Sequence, residues 1–252
     1  MSLHPAFLAR PIAHRAVHDR AASRPENSRA AIRAAIEHGY GIEFDLQPSV
    51  DGVPMVFHDH HLMRLTGADG AVRERTAEEL GHLQLKNGDE GLPTLAKVLE
   101  LVAGRVPLLV EVKDQSHVLG PVEGELEKAT AAALRAYEGP VALMSFTPPS
   151  LMALRDAAPD IPRGLVTCSY DPSEPELAGI DPACLDRLRD IADFEATGAC
   201  FISHEWKDLA RPRVAELKRA GVPVLCWTVR SPETDRAARA VADNVTFEGY
   251  LA

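Results

Sequence analysis

The strongest constraint on the fold is a regular alternation of apolar runs with helical segments along nearly the whole chain. Strands are predicted at 11–16, from residue 41, and at 107–113, 141–145, 162–167, 199–203, 222–228 and 244–247. Helices are predicted at 30–38, 94–101, 121–137, 148–157, 185–194, 213–220 and 233–241. Nearly continuous apolar runs such as PLLVEVK are typical of parallel strands buried on both faces. Eight such alternations with short connections predict an α/β fold, a parallel sheet closed into a (β/α)8 TIM barrel.

One segment interrupts this alternation after the second predicted strand. Residues 60–92 are polar and glycine-rich, with a single short helical piece at 76–80. Long connections inside a compact domain usually cover a functional site. No repeat or linker-like stretch is visible, so we expect one domain over residues 1–252 with a small insertion at about 49–92.

Composition and charge limit the partners. The net charge of -10 over 252 residues disfavours nucleic acid or an anionic membrane surface, because the general field repels phosphate. The first residues carry no basic region followed by a long apolar stretch, and no run reaches the roughly 18 apolar residues of a membrane helix. We therefore expect a cytoplasmic protein with no membrane insertion. The four cysteines show no C-x-x-C spacing and are expected to be reduced.

Two acids lie close together on the second predicted strand, in the sequence GIEFDLQP. Side chains two apart on a strand share a face, so Glu43 and Asp45 point one way while Ile42, Phe44 and Leu46 point the other. Adjacent carboxylates repel each other unless a cation lies between them, which suggests half of a hard-metal site. Alone, this pair is weak evidence, because exposed strand faces often carry acids.

The positions of further polar residues strengthen that interpretation. Active sites of TIM barrels gather at the carboxyl ends of the strands. Polar or aromatic residues lie at such ends on several predicted strands, and His58 ends the apolar run that follows Asp51-Gly52. The full set is His14, Arg15, Glu43, Asp45, His58, Glu111, Lys113, Ser145, Trp227 and Thr228. We expect them to face one rim and to form one site.

The motifs at these positions, read in order, resemble the glycerophosphodiester phosphodiesterase family. They are H-R, P-E-N-S, E-F-D, D-G-V-P-M-V-F-H-D, L-P-T-L, V-E-V-K, S-F and W-T-V, and they span residues 14–229. The resemblance implies a (β/α)8 barrel that hydrolyses small-molecule glycerophosphodiesters to glycerol 3-phosphate and an alcohol with a divalent cation. It also implies that the insertion at 49–92 screens the glycerol end.

Carried over by residue, the resemblance makes Glu43, Asp45 and Glu111 the metal ligands and His14 and His58 the acid/base pair. Arg15 and Lys113 would contact the phosphate. Trp227 is placed either in the core or on the glycerol moiety. Oxygen ligands suit Mg²⁺ or Ca²⁺ better than zinc, which prefers histidine or cysteine.

Two positions depart from the family pattern. Ala16 stands where the family usually has glycine after H-R, which affects the turn beyond the first strand. Thr246-Phe247-Glu248-Gly249 stands where the family usually shows T-D, which leaves the role of that loop in substrate choice open. The other histidines considered, His18, His60, His61 and His204, are expected to be solvated.

Several alternatives remain open at the level of sequence. Either histidine can be the acid, and the nucleophile is either water or the glycerol 2-hydroxyl, which would give a cyclic phosphate. Arg15 can serve as a salt-bridge partner of Glu43 or Asp45 alone, and Lys113 as a neighbour that neutralises Glu111. A lysophospholipase D-like enzyme would require an apolar groove near the insertion, but the insertion is polar. An inactive glycerophosphate-binding barrel would not need the complete set of acids and histidines. The preferred alcohol and the oligomeric state are not determined.

Overall fold

The computed structural model describes residues 1–175 and 177–252 in full, and the backbone of residue 176. Within this part of the chain, nine strands are formed. They are β1 Ile12–Ala13, β2 Gly41–Pro48, β3 Pro54–Val56, β4 Leu108–Val112, β5 Val141–Ser145, β6 Arg163–Thr167, β7 Phe201–Glu205, β8 Val224–Val229 and β9 Asn244–Phe247.

The parallel strands close into a barrel, as the alternation predicts. In the sheet the order is β1-β9-β8-β7-β6-β5-β4-β2-β3, and an additional pairing joins β1 to β2. Every neighbouring pair is parallel except β2 and β3, which pair antiparallel as a hairpin on the outside of the closed ring. The architecture is therefore a (β/α)8 barrel of eight strands with one extra edge strand at the start of the insertion.

Among the described residues, α-helices lie before β1 and between successive barrel strands. They are α1 Ala6–Ala9, α2 Arg29–His38, α3 Met63–Thr66, α4 Ala77–His82, α5 Leu95–Val102, α6 Glu125–Leu134, α7 Pro148–Ala157, α8 Pro182–Arg189, α9 Pro212–Arg219 and α10 Pro232–Ala238. Their starts follow the sequence signals: the side chain of Ser28 accepts from the amide of Ala31, and that of Thr94 from the amide of Lys97. Gly39, at φ 68°, ends α2 in the left-handed conformation.

The prediction was wrong for one helix and shifted for one strand. The helix expected at 185–194 runs instead from Pro182 to Arg189, and turns follow it. Its start is set by Asp181, whose side chain accepts from the amide of Ala183, and by proline at the first helical position. Ile191 has φ 49°, a left-handed conformation that a helix cannot contain. Strand β7 accordingly begins at Phe201, two residues later than expected.

The barrel wall separates two apolar layers. Outward-facing residues such as Ile42, Phe44 and Leu46 pack with helix residues in the main core. Inward-facing residues fill the lower part of the barrel, where α1 closes the floor through Phe7. The side-chain amide of Asn244 donates to the carbonyl of Phe7 and so fixes α1 to β9. The upper part of the barrel is left to polar residues.

The insertion has a small core of its own, which its polar composition conceals. Apolar side chains from the hairpin and from α3 and α4 form a separate buried cluster: Met55, Phe57, Leu62, Leu65, Val72, Leu80, Leu85 and Leu92. These apolar side chains pack against one another within the insertion. Its residues His60, His61, Met63 and Arg64 line the cavity at the barrel mouth.

Gly164 is required by space inside the barrel. It lies on β6 and pairs in register with Phe201, whose ring fills the interior. A Cβ built at Gly164 would lie 2.4 Å from a carbon of that ring. Real Cβ atoms do not approach so closely, so any side chain here must displace the phenylalanine.

We predict that Gly164→Ala lowers the free energy of unfolding by about 1–3 kcal/mol, the usual cost of overpacking a core. Urea denaturation measures the change. Gly81→Ala is the control, because a Cβ at Gly81 meets nothing within 4 Å and alanine favours the helix that contains it. Equal stability of the two variants would contradict the packing argument.

Candidate functional site

Three carboxylates converge where β2 and β4 lie side by side. Glu43 and Asp45 point inward from β2, and Asp45 pairs in register with Glu111 of β4. Each residue offers one ligand oxygen, and these oxygens lie within 4.8 Å of one another. All three side chains are buried. The alternation of the strand therefore brings together the acids that the sequence singled out.

The electrostatics of this cluster fit a divalent cation. Burial, reinforced by the charges of Asp45 and Glu111, raises the pKa of Glu43 well above its ordinary value. Burial also opposes ionisation of Asp45, but the charges of His58, Lys113 and Arg15 outweigh it and hold the pKa of Asp45 well below its usual range. The protein's own cations thus stabilise the ionised form of Asp45 but not that of Glu43. A donor set made only of oxygens suits Mg²⁺ or Ca²⁺ and can hold one such ion.

Lys113 lies against the same acids. Its Nζ donates to Glu111 Oε1 at 2.7 Å and lies 3.5 Å from Asp45 Oδ1. Burial alone would lower the pKa of Lys113, yet these two carboxylates raise it to about 12. The side chain is therefore a fixed positive charge at the edge of the cluster.

Arg15 is held in place by its backbone as well as its side chain. At φ 51° its amide donates to Glu43 Oε2 at 2.9 Å, and its Nη1 donates to Glu26 at 2.8 Å. Its Nε lies 3.7 Å from Asp45 Oδ2 and, among the described residues, makes no hydrogen bond although it is buried. A buried guanidinium donor without an acceptor is costly, so this geometry suits an anionic ligand.

The residue after Arg15 shares its unusual backbone. Ala16 has φ 64°, in the left-handed region that glycine occupies without strain. Its amide donates to the carbonyl of Glu43 and so ties the turn to β2. This conformation is the physical reason for a preference for glycine at this position, and the chain forms the same kind of turn with alanine.

His14 is oriented by Glu248, which the sequence had left without a role. His14 Nδ1 lies 2.5 Å from Glu248 Oε2, and His14 Nε2 lies 3.9 Å from Glu43. Glu248 also contacts His18 at 3.5 Å and Arg230 at 2.7 Å. Burial lowers the pKa of His14, and the hydrogen bond to Glu248 offsets this only in part. The carboxylate fixes the ring and leaves Nε2 available to a ligand.

His58 has a comparable partner. Its Nδ1 lies 2.7 Å from Asp59 Oδ1, which again leaves Nε2 available. Arg64 of the insertion donates two hydrogen bonds to Asp59 and two to Glu26. Since Glu26 also accepts from Arg15, one ionic network connects the two sides of the cavity. Each imidazole is thus held by a carboxylate, and Arg64 of the insertion binds one of these carboxylates, Asp59.

Of the ten residues that the sequence placed at one rim, nine line a cavity of about 1010 Å³ at the carboxyl ends of the strands: His14, Arg15, Glu43, Asp45, His58, Glu111, Lys113, Trp227 and Thr228. The expectation for Ser145 was wrong: it is fully buried, and its hydroxyl donates to the carbonyl of Val112. Trp227 lies on the wall of this cavity, where its Nε1 donates to the carbonyl of Ser203 and its ring packs edge-on against Phe146. The structure thus brings the set together without deciding which member does what.

Some expectations for other residues were wrong or incomplete. His204, expected to be solvated, is fully buried, lies 2.7 Å from Thr167 Oγ1 and contacts Asp208. Sequence reasoning also missed Glu26, Asp59, Arg64 and Glu248 as partners of the site. Asp59 follows directly after His58 and could have been noticed, whereas the contacts of Arg64 and Glu248 depend on segments far apart in the chain.

Comparison with known proteins gives a consistent result. The model of the glycerophosphoryl diester phosphodiesterase family matches residues 14–246. A glycerophosphodiester phosphodiesterase of Caldanaerobacter subterraneus is 35% identical over 150 residues, which is 56% of this chain and 61% of that protein. A putative glycerophosphodiester phosphodiesterase of Bacillus subtilis is 25% identical over 239 residues, 91% of this chain and 90% of that protein. The chain thus covers less than two thirds of the length of the first of these relatives.

Among solved structures, a phosphodiesterase of Oleispira antarctica in complex with the product sn-glycerol-3-phosphate superimposes with a TM-score of 0.75 at 24% identity. The match covers 96% of this chain and 94% of that one. At this identity the likeness establishes the fold. Within the described residues, we find no helix long and apolar enough to cross a membrane.

We predict a trade-off at Glu43. In EDTA, Glu43→Gln should stabilise the protein by about 1 kcal/mol, because it removes one of three repelling buried acids while keeping an acceptor for the amide of Arg15. Mg²⁺ or Ca²⁺ should raise the melting temperature of the unmodified protein and not that of the variant.

Differential scanning fluorimetry at several cation concentrations measures both effects. Glu127→Gln is the control: this buried acid on α6 pairs with Ser150 outside the cavity and should leave the cation response intact. An undiminished cation response in Glu43→Gln would argue against a metal at the cluster.

Proposed function

This chain belongs to the glycerophosphoryl diester phosphodiesterase family, and from that starting point we propose that it hydrolyses glycerophosphodiesters to glycerol 3-phosphate and an alcohol. The observation that carries the proposal is the convergence of three buried carboxylates with two carboxylate-held histidines and two cations in one cavity. The product found in the Oleispira antarctica structure supports the same substrate class. We further treat residues 1–252 as one domain with its insertion at about 49–92.

The proposed ion is one Mg²⁺ or Ca²⁺ held by Glu43, Asp45 and Glu111. When bound, it would neutralise charge on a nonbridging phosphate oxygen and lower the pKa of an attacking hydroxyl. Zinc would find no histidine or cysteine among these three ligands. Hydrolysis rates with Mg²⁺ and with Ca²⁺ distinguish the two ions.

The phosphate is proposed to lie between Arg15 and Lys113. Arg15 has a buried Nε without a hydrogen-bond acceptor, and its planar group can bind two oxygens at once. Lys113 remains charged and adds a point charge next to the acids. Trp227 is proposed to pack on the glycerol moiety of the substrate, because its ring lies on the cavity wall with its polar atom already bonded.

His14 and His58 are proposed as the acid/base pair. Hydrolysis requires a proton to leave the nucleophile and another to reach the departing alcohol oxygen. Both rings use Nδ1 for a carboxylate, so Nε2 of each can hold or release that proton. Two nucleophiles fit this arrangement, a water molecule and the glycerol 2-hydroxyl. The second gives a cyclic phosphate, which ³¹P NMR of the reaction mixture would detect.

The decisive experiment is an assay of glycerol 3-phosphate released from glycerophosphocholine and glycerophosphoethanolamine. It is run with Mg²⁺, with Ca²⁺ and with EDTA. We expect product with at least one cation and none with EDTA. Bound substrate without product under all conditions would instead indicate a non-catalytic binding barrel, and product in EDTA would remove the metal from the proposal.

Replacing either catalytic imidazole is expected to lower kcat by about 100-fold or more, the usual scale for an acid/base group. His14→Asn and His58→Asn are the variants, with His82→Asn as the control because His82 is exposed on α4, away from the cavity. Initial rates at saturating substrate measure the loss. Full activity in either cavity variant would end the assignment for that residue.

Arg64 is expected to act as a positioning residue. Its planar group bonds two carboxylates at once, which lysine cannot reproduce, so Arg64→Lys should lower kcat by about 10- to 100-fold with a smaller change in KM. Arg73→Lys, an exposed change in the same insertion, is the control. Loss of stability with an unchanged kcat would indicate a merely structural role.

A further inference from the structure

The two halves of the cavity mouth differ in chemistry. Glu111 pairs in register with Met144, so the residue two positions after each lies one level higher on the inner face. After β4 that residue is Lys113, and after β5 it is Phe146. On β6 the register puts Val166 at the level of Phe146, and Cys168 lies one level higher. The inner face of the mouth therefore changes from charged to apolar within one step around the barrel.

We call the second half the apolar wall and define it by six cavity-lining residues: Leu119, Phe146, Cys168, Tyr170, Leu177 and Ile180. Its polar atoms are withdrawn from the cavity. The hydroxyl of Tyr170 donates to the carbonyl of Val166, and the residue is 1% exposed. Burial raises the pKa of Cys168 to about 12, so its thiol is uncharged.

The residues of this wall belong to one packed apolar cluster. The wall residues pack on a hydrophobic cluster that also contains Leu185 and Leu188 of α8. Leu119 is presented by a turn that Asp114 holds through hydrogen bonds from the amides of Ser116 and Leu119. Leu119 itself has φ 55°, a backbone conformation that is strained for leucine. In this conformation its side chain lines the cavity.

The two arms of a glycerophosphodiester have different needs. The glycerol arm carries hydroxyls that lose free energy against an apolar surface unless they find hydrogen-bond partners. Such partners lie on the opposite half, with the carboxylates and histidines. At about 1010 Å³ the cavity is also at the upper end of the range of small-molecule sites, with room for more than a small head group.

We propose that the leaving alcohol of the substrate carries an apolar chain of several carbons, which packs on the apolar wall. This inference rests on the proposed function and names its substrate class. This apolar wall is not part of the polar insertion. The wall lies across the mouth, on the segments after β4, β5 and β6. Glu174 and Arg230 also line the cavity, and neither belongs to the wall.

The test compares glycerophosphomethanol, glycerophosphobutanol and glycerophospho-octanol, the last below its micelle concentration. Each buried methylene gives roughly a fourfold gain, so we expect kcat/KM to rise at least tenfold from methyl to octyl. A flat series with measurable turnover would overturn the proposal and leave the proposed function standing. Faster release of choline from lysophosphatidylcholine than hydrolysis of the octyl diester would also overturn it, because the chain would then lie on the glycerol side.

A variant tests the wall directly. Leu119→Asn combined with Leu177→Asn should abolish the rise of kcat/KM with chain length. Val118→Asn is the control, because Val118 is exposed next to Leu119 and does not line the cavity. If the double variant kept the full preference, the wall would not be the binding surface.

Binding separates this inference from turnover. Phosphonate analogues of the methyl and octyl diesters cannot be hydrolysed, and calorimetry gives their Kd values. At least tenfold tighter binding of the octyl analogue supports the wall even if no diester is hydrolysed, a result that would overturn the proposed function alone. Equal Kd values for the two analogues would overturn the inference about the chain.

Discussion

Three buried carboxylates within a ligand's reach of one another form the constraint around which the rest of the cavity is arranged. Their mutual repulsion in a desolvated site destabilises the protein unless positive charge lies close by. Lys113 and Arg15 supply part of it, and the pKa of Asp45 falls while that of Glu43 rises. The remaining excess of buried negative charge suits a divalent cation, which is the basis for the proposed metal site.

The same cavity joins segments far apart in the chain through ion pairs. Glu248, after the last strand, holds the histidine that follows the first one. Arg64, from the insertion, connects Asp59 with Glu26 and hence with Arg15. The insertion is therefore part of the site's support as well as its cover. Such contacts fix ring orientations that a single strand end could not hold.

The fold was predictable because buried strands and helices produce regular patterns of apolar residues in the sequence. Continuous apolar runs indicated parallel strands, and the helix starts at Ser28 and Thr94 carried their capping side chains in the sequence. The errors arose where a local signal was absent. The left-handed Ile191 ends α8 early without any glycine to mark it, and the insertion's own core was hidden by its polar composition. His204 looked solvated because nothing nearby in sequence reveals that neighbouring strands cover it.

For the site, the sequence by itself determined which groups face inward, since the period of a strand fixes the face shared by Glu43 and Asp45 and the ends of parallel strands meet at one rim. Only the tertiary structure decided how these groups are held and what lies opposite them. The carboxylate of Glu248, the arginine of the insertion and the apolar wall meet the proposed catalytic groups through contacts between distant segments. Such contacts depend on the closure of the barrel, and closure brings together residues that no local pattern relates.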